Sequence, residues 1–168
     1  MPIESPAGPL ATLEETVFLA KRHAEDLEGH FVSPVLLVVA PAEDWAETTQ
    51  ARQTIESDMV SVQMMPTLVI ELRAQGEVTF GRAPGNGVIL PFAAMSKNHG
   101  FFRTDATRWM VGDSGSKNGT FVDGARVANG AVMPLRDGAS LRFGDVTAKF
   151  WLPKSFCLDL RRRMKGPL

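Results

Sequence analysis

From about residue 60 onward the chain is a succession of short apolar or alternating runs, each closed by Gly, Asn, Asp or Pro, and this texture narrows the fold more than any other feature. The runs at 67–73, 78–80, 88–90, 100–103, 109–111, 120–122, 125–127, 140–143 and 146–151 are too short for helices and read as strands. Asp123-Gly124 sits between two of them. A two-residue type I′ turn needs positive φ at both central positions, so this dipeptide marks a hairpin. Asn86-Gly87, Asn129-Gly130 and Asp137-Gly138 mark further turns. In the last run Val146, Ala148 and Phe150 share one face while Thr147, Lys149 and Trp151 share the other, as in a sheet with one buried side. The expected architecture is mainly β, an antiparallel sandwich.

Ahead of this region the texture differs. Residues 1–10 hold three prolines and read as a disordered lead-in. Thr12 and Glu15 have capping-box spacing, and Leu13, Val17, Ala20, Ala24 and Leu27 then fall on one face. An amphipathic helix is therefore expected over 13–28, stopped by Gly29. The apolar run 35–39 reads as a buried strand. Residues 42–58 are polar with weak periodicity and fit either a loop or a surface helix. At the other end, Phe156, Leu160 and Met164 recur every four residues, as on a short helix. The organisation expected is an N-terminal extension over 1–30, a sandwich over 31–152 with a polar insertion or linker at 41–59, and a basic helical tail over 153–168.

Charge is divided unevenly. Residues 1–60 carry eleven acids against three bases, and residues 61–168 carry fifteen bases against eight acids. Either the front packs against the back, or the back attracts an anionic partner. No apolar stretch is long enough to span a bilayer and the N-terminus lacks the pattern of an export signal, so a cytoplasmic location is expected. Cys157 is the lone cysteine, which leaves no internal disulfide and no metal framework; it reads as a small apolar filler. Neither a metal nor another cofactor is expected.

The turns carry the chemistry. In order they read Gly81-Arg82, then Ser96-Lys97-Asn98-His99, then Ser114-Gly115-Ser116-Lys117-Asn118-Gly119-Thr120. This series resembles the forkhead-associated (FHA) family, whose pattern is a Gly-Arg after an early strand, a Ser-x-x-His some fifteen residues on, and an Asn-Gly before a Thr-aromatic strand. The resemblance covers roughly residues 67–151, and the segments at 135–138 and 141–144 look like the family's closing hairpin. It implies a β-sandwich of the SMAD/FHA type and a phosphothreonine-dependent protein-binding adaptor in Ser/Thr kinase signalling. The alternatives are a phospho-independent scaffold on the same fold, or a regulator inhibited by its own phosphorylated N-terminal segment.

A phosphomonoester carries nearly two negative charges and several strong acceptor oxygens, so it is best held by a charged planar fork plus neutral donors. By resemblance, Arg82 and Ser96 contact phosphate, Lys97 and Lys117 sit beside it, and Asn118 bonds the main chain of the bound peptide. Gly81, His99, Gly119 and Thr120 are then structural parts of the site, with His99 bracing the loops. Taken singly, Arg82 is equally an ordinary solvated base, and Ser116 and Asn118 equally turn residues. Three departures from the family stand out. Lys97 replaces the usual Arg and loses bidentate geometry. Gly100 follows the histidine and Gly87 stands where Asp is usual, which predicts looser loops.

Other classes fare worse. Ser96 and His99 lack an orienting acid and an oxyanion hole for catalysis, and GDSGSKNGT lacks the Gly-Lys-Ser/Thr ending of a P-loop, so no enzyme is expected. The cluster Arg161, Arg162, Arg163 and Lys165 fits nucleic acid or an acidic surface, but without interleaved aromatics it reads better as a helix end complementing its own dipole. The expected partner is a phosphothreonine-containing protein, with no nucleic acid and no membrane, and the chain is expected to be monomeric. Thr16, in Glu14-Glu15-Thr16-Val17-Phe18, resembles the phosphorylatable segments of small bacterial FHA regulators, yet it falls inside the capped helix.

Overall fold

The computed structural model describes residues 11–22, 24–39, 41, 67–105 and 107–165. In chain order the elements are β1 (Ala11–Thr12), α1 (Leu13–Arg22), a 3-10 turn (Ala24–Asp26), α2 (Leu27–His30), β2 (Val35–Val39) and β3 (Thr67–Glu71). There follow β4 (Glu77–Gly81), β5 (Val88–Ile89), β6 (Gly100–Thr104), β7 (Trp109–Asp113), β8 (Thr120–Val122), β9 (Ala125–Arg126), β10 (Val132–Leu135), β11 (Ser140–Phe143), β12 (Val146–Trp151) and α3 (Pro153–Lys165). They build a seven-stranded sheet in the order β1-β3-β2-β12-β11-β8-β9 and a five-stranded sheet in the order β10-β7-β6-β4-β5.

The sandwich expected from the alternating runs is present, with one correction to its purely antiparallel character. β5 pairs with β4 in parallel, Phe80 opposite Val88 and Gly81 opposite Ile89. The link between these strands holds a buried asparagine, Asn86, whose side-chain nitrogen donates to the Ala83 and Lys97 carbonyls. At the 123–124 turn Asp123 has φ 48° and Gly124 φ 85°, the positive pair that a type I′ turn requires. The Asp123 carboxylate also accepts the Ser140 amide at 3.0 Å, which ties the hairpin to β11.

Two apolar layers hold the molecule together. Between the sheets, Phe80, Phe102, Phe143 and Phe150 are fully buried with Leu36, Val38, Leu68 and Leu141. Phe80 lies 4.8 Å from Phe102 and 4.7 Å from Phe143, centroid to centroid. Burial of each such ring stabilises the fold by about 2–3 kcal/mol. Outside the seven-stranded sheet a second cluster joins Val17, Ala20 and Leu27 to Phe156, Cys157 and Leu160 over Val35 and Leu37. β2 is thus covered on both faces, which explains why its sequence is continuously apolar rather than alternating.

The helical layer departs from the sequence reading in one respect. Helix 13–28 is broken: α1 ends at Arg22, and a 3-10 turn and the single turn of α2 follow. Asp26 caps α2 by accepting the Gly29 amide at 3.2 Å, so the local capping preference restarts the helix instead of letting it run on. The start is as expected. Thr12 Oγ1 accepts the Glu15 amide at 3.2 Å and Glu15 returns its carboxylate to the Thr12 amide at 2.9 Å. Thr16 is buried and its hydroxyl donates to the Thr12 carbonyl, so it serves this helix. Among the expectations, those for 1–10, 42–58 and the side chain of Ala24 lie outside the described residues.

At the C-terminus Pro153 opens α3 at the position where its missing N–H costs nothing. Phe156, Cys157 and Leu160 face the layer beneath. The basic cluster is partly spent inside the molecule: Arg163 pairs with Asp159 at 2.6 Å and Arg161 with Glu28 at 3.5 Å. That second contact joins the acidic front to the basic back. Cys157 is buried, its thiol donating to the Leu27 carbonyl, and burial pushes its pKa up. No helix among the described residues is long and apolar enough to cross a membrane.

Candidate functional site

Strand register decides which loops meet. Phe80 stands opposite Gly100, and Gly100 opposite Asp113, so the end of β4, the approach to β6 and the exit of β7 lie at one end of the five-stranded sheet. Across the sandwich Thr120 stands opposite Phe143, which brings the start of β8 and Gly144 to the same end.

Backbone hydrogen bonds then lace the loops together. The Arg82 amide donates to the Ser96 carbonyl at 2.9 Å and the Ala83 amide to Lys97 at 3.0 Å. A Cβ on Gly81 would come within 2.3 Å of the Lys97 carbonyl oxygen, so only glycine admits this approach. Asn86 closes the same junction from below, its side-chain nitrogen donating to Ala83 O at 2.9 Å and Lys97 O at 2.7 Å. The Lys117 amide donates to Ser96 Oγ at 2.9 Å. Because that hydroxyl oxygen is an acceptor here, its proton is free to point outward to an anion. Asn118 Nδ2 donates to the Ala94 carbonyl at 2.9 Å, and among the described residues its Oδ1 accepts no hydrogen bond.

His99 is the brace between the loops. Fully buried, it stacks on Phe80 at 5.7 Å, accepts the Ser96 amide at Nδ1 (3.1 Å) and faces the Gly119 carbonyl with Nε2 (3.3 Å). With Nδ1 an acceptor, the neutral ring carries its proton on Nε2 and donates it to Gly119. Burial pushes the imidazole pKa below its ordinary value, against the opposing pull of the Gly119 carbonyl and the Asp113 charge. An unfolded chain therefore binds a proton that the folded one refuses. Stability is full above about pH 6.5 and falls as the pH drops from there toward the lower folded value. Chemical denaturation should show a midpoint lower at pH 5 than at pH 7.5, with a His99→Gln variant flatter across that interval.

Asp113 holds the third loop from inside. Its carboxylate accepts the amides of Gly115 (2.9 Å) and Ser116 (2.8 Å) and the hydroxyls of Ser116 (2.6 Å) and Thr120 (2.7 Å). Burial by itself would raise its pKa; the hydrogen bonds from Ser116, Thr120 and Gly115 outweigh that and hold the carboxyl below its usual range. Ser116 Oγ in turn accepts the Gly119 amide at 3.0 Å. Gly119 has φ +83°, and its carbonyl also takes the Gly144 amide at 3.0 Å.

The residues singled out from the sequence therefore fall into two sets. Gly81, His99, Gly119 and Thr120 are buried and build the frame. Arg82, Lys97, Lys117 and Asn118 are exposed and Ser96 is half-buried, on three loops whose backbones are bonded to one another. Among the described residues the charged ends of Arg82, Lys97 and Lys117 have no carboxylate partner. Asp113 and Asn86 were not anticipated. Gly100 is a packing requirement, since a Cβ there would lie 2.2 Å from the Gly112 carbonyl oxygen; one at 87 would lie 2.5 Å from a Val78 methyl, a side-chain group that must shift to admit it. A groove of about 540 Å³ on the outer face of the seven-stranded sheet, bordered by Leu37, Phe121, Arg142 and Lys149, includes none of Arg82, Ser96, Lys97, Lys117 or Asn118. Arg82, Lys97, Lys117 and Asn118 are themselves exposed, so the loop site is accessible to a surface-bound chain.

The FHA domain family model matches residues 78–144. Among solved structures, the FHA domain of the CT664 protein from Chlamydia trachomatis is 15% identical, with a TM-score of 0.50 over 71% of this chain and 96% of that one. An FHA domain solved in work on phosphothreonine-dependent FHA interactions is 22% identical, with a TM-score of 0.49 over 71% and 96%. Mycobacterium tuberculosis EmbR, in complex with a low-affinity phosphopeptide, is 16% identical, with a TM-score of 0.48 over 82% of this chain and 30% of that one. A search of curated proteins found no match. The matched span runs from β4 through the three laced loops to Gly144, and over those residues the chain is similar to the FHA domain family.

Proposed function

We propose that this chain is a non-enzymatic, phosphothreonine-dependent protein-binding adaptor working in Ser/Thr kinase signalling. The observation that carries the reading is Ser96: its oxygen is engaged by the Lys117 amide, so its proton is left for an incoming acceptor beside exposed Arg82. In this reading Arg82 forks onto phosphate oxygens and the Ser96 hydroxyl donates to a third. Lys97 and Lys117 add unpaired positive charge at the rim. Asn118, steadied by Ala94, offers its free amide hydrogen and carbonyl to the main chain of an extended peptide. Lys97 supplies a point charge where a guanidinium would supply two parallel bonds, which sets affinity below that of an arginine-bearing site.

Calorimetric titration with a degenerate phosphothreonine peptide library, repeated with the unphosphorylated twin, tests this directly. Saturable binding of the phosphorylated library alone, without turnover, is expected. Equal heats from both libraries would replace the reading with that of a phospho-independent scaffold.

A further inference from the structure

Arg126 is a cation beside the loop site that neither the frame nor the phosphate cradle uses. It lies on β9, the edge strand of the seven-stranded sheet, directly opposite Phe121. The residue is exposed, and its guanidinium lies alongside the loop. Nε and Nη2 lie 3.2 and 3.4 Å from the point that a Cβ on Gly119 would occupy, so the group rests against the backbone that follows Asn118.

Phe121 helps to keep it there. The Arg126 guanidinium carbon is 6.0 Å from the ring centroid, and Arg142 stacks on the same ring at 3.6 Å while donating to the Gly144 carbonyl at 2.8 Å. Two guanidinium groups share one ring, and among the described residues neither has a carboxylate partner. Asp113 is engaged by the loop it supports and Asp123 by Arg136 at 3.1 Å, while the exposed Asp145, beside Gly144, forms no ion pair with either guanidinium. The rim next to Asn118 therefore carries two guanidinium groups free of ion pairs among the described residues, each a fork suited to a carboxylate.

We infer that Arg126 is a specificity-determining residue that receives an aspartate or glutamate of the bound partner, at a position flanking the phosphothreonine. This rests on the phosphopeptide reading above and names the partner's chemistry more closely: an acidic phosphothreonine segment. A chain laid across Asn118 passes within reach of Arg126, whereas the phosphate itself goes to Arg82 and Ser96 at the other junction of the loops.

The test uses the full chain and an alanine-based peptide with a central phosphothreonine, in which a single glutamate is walked through the flanking positions. At one position wild type should gain about fivefold in affinity over the all-alanine peptide, the scale of a well-formed exposed ion pair. The gain should shrink as salt is raised. Arg126→Ala should reduce the ratio of glutamate to alanine affinity to about one, and Arg126→Glu should reverse the preference toward a lysine peptide at that same position. If phosphopeptides bind but the glutamate walk is flat, or if the gain survives in Arg126→Ala, the assignment of Arg126 is overturned and the phosphate site stands. If no phosphopeptide binds at all, both fall together.

Discussion

The Arg82→Ala variant is expected to bind phosphothreonine peptides about a hundredfold more weakly than the parent, while melting at nearly the same temperature. Two charge-assisted hydrogen bonds to a phosphate contribute about 3 kcal/mol together, and each 1.4 kcal/mol is a factor of ten in affinity. Stability should hardly change because the side chain is exposed and makes no hydrogen bond among the described residues; only its backbone amide is used, and alanine keeps that. Substitutions at such positions stay within about 0.5 kcal/mol. Parallel titration calorimetry and thermal melts check both halves. A loss of affinity accompanied by a large drop in melting temperature would mean that Arg82 is a structural residue.

Asp113→Ala should show the opposite signature, a large loss of stability. The substitution strands four donors, the Ser116 and Thr120 hydroxyls and the Gly115 and Ser116 amides, and Thr120 is fully buried. A buried donor without a partner costs about 1–3 kcal/mol, and the more exposed of the four can turn to water, so a total of about 3 kcal/mol is expected. In a domain of this size that lowers the melting temperature by roughly 10 °C. Asparagine at the same position should recover part of the loss, since its oxygen still accepts amides. Because the folded carboxyl titrates below the ordinary 3.8, the stabilisation is complete above that pH and fades as the pH falls through the lower folded value. Urea denaturation of the two variants at neutral pH would measure it. If Asp113→Ala proved as stable as the parent, the buried carboxylate would not be what shapes the Asn118 loop.

What could be read from the sequence followed from local signals with a single physical meaning. Asp123-Gly124 announced its hairpin because almost nothing else tolerates two positive φ values in succession. Thr12 and Glu15 announced the start of α1 because the reciprocal cap depends only on spacing. Arg82, Ser96 and Asn118 were singled out because their order along the chain matched a family pattern, not because any one of them is distinctive. The features that went unseen depend on neighbours distant in sequence. Asn86 read as half of a turn, and its buried bond to Lys97, eleven residues away, is visible only once β4 and β5 run in parallel. Asp113 carries no signal of its own in the sequence; what makes it a keystone is the loop folding back over it. Gly100 suggested looseness, whereas the register with β7 makes it the only residue that fits. The break after Arg22 was missed because the apolar spacing continues through Leu27 even though the helix does not.

The most direct test of the account is to follow backbone amide resonances while adding a phosphothreonine peptide. The account predicts shifts concentrated at 81–83, 96–99 and 116–119, absent with the unphosphorylated peptide. Shifts centred on α1, α3 or the outer groove by Lys149, or the same shifts with and without phosphate, would contradict it.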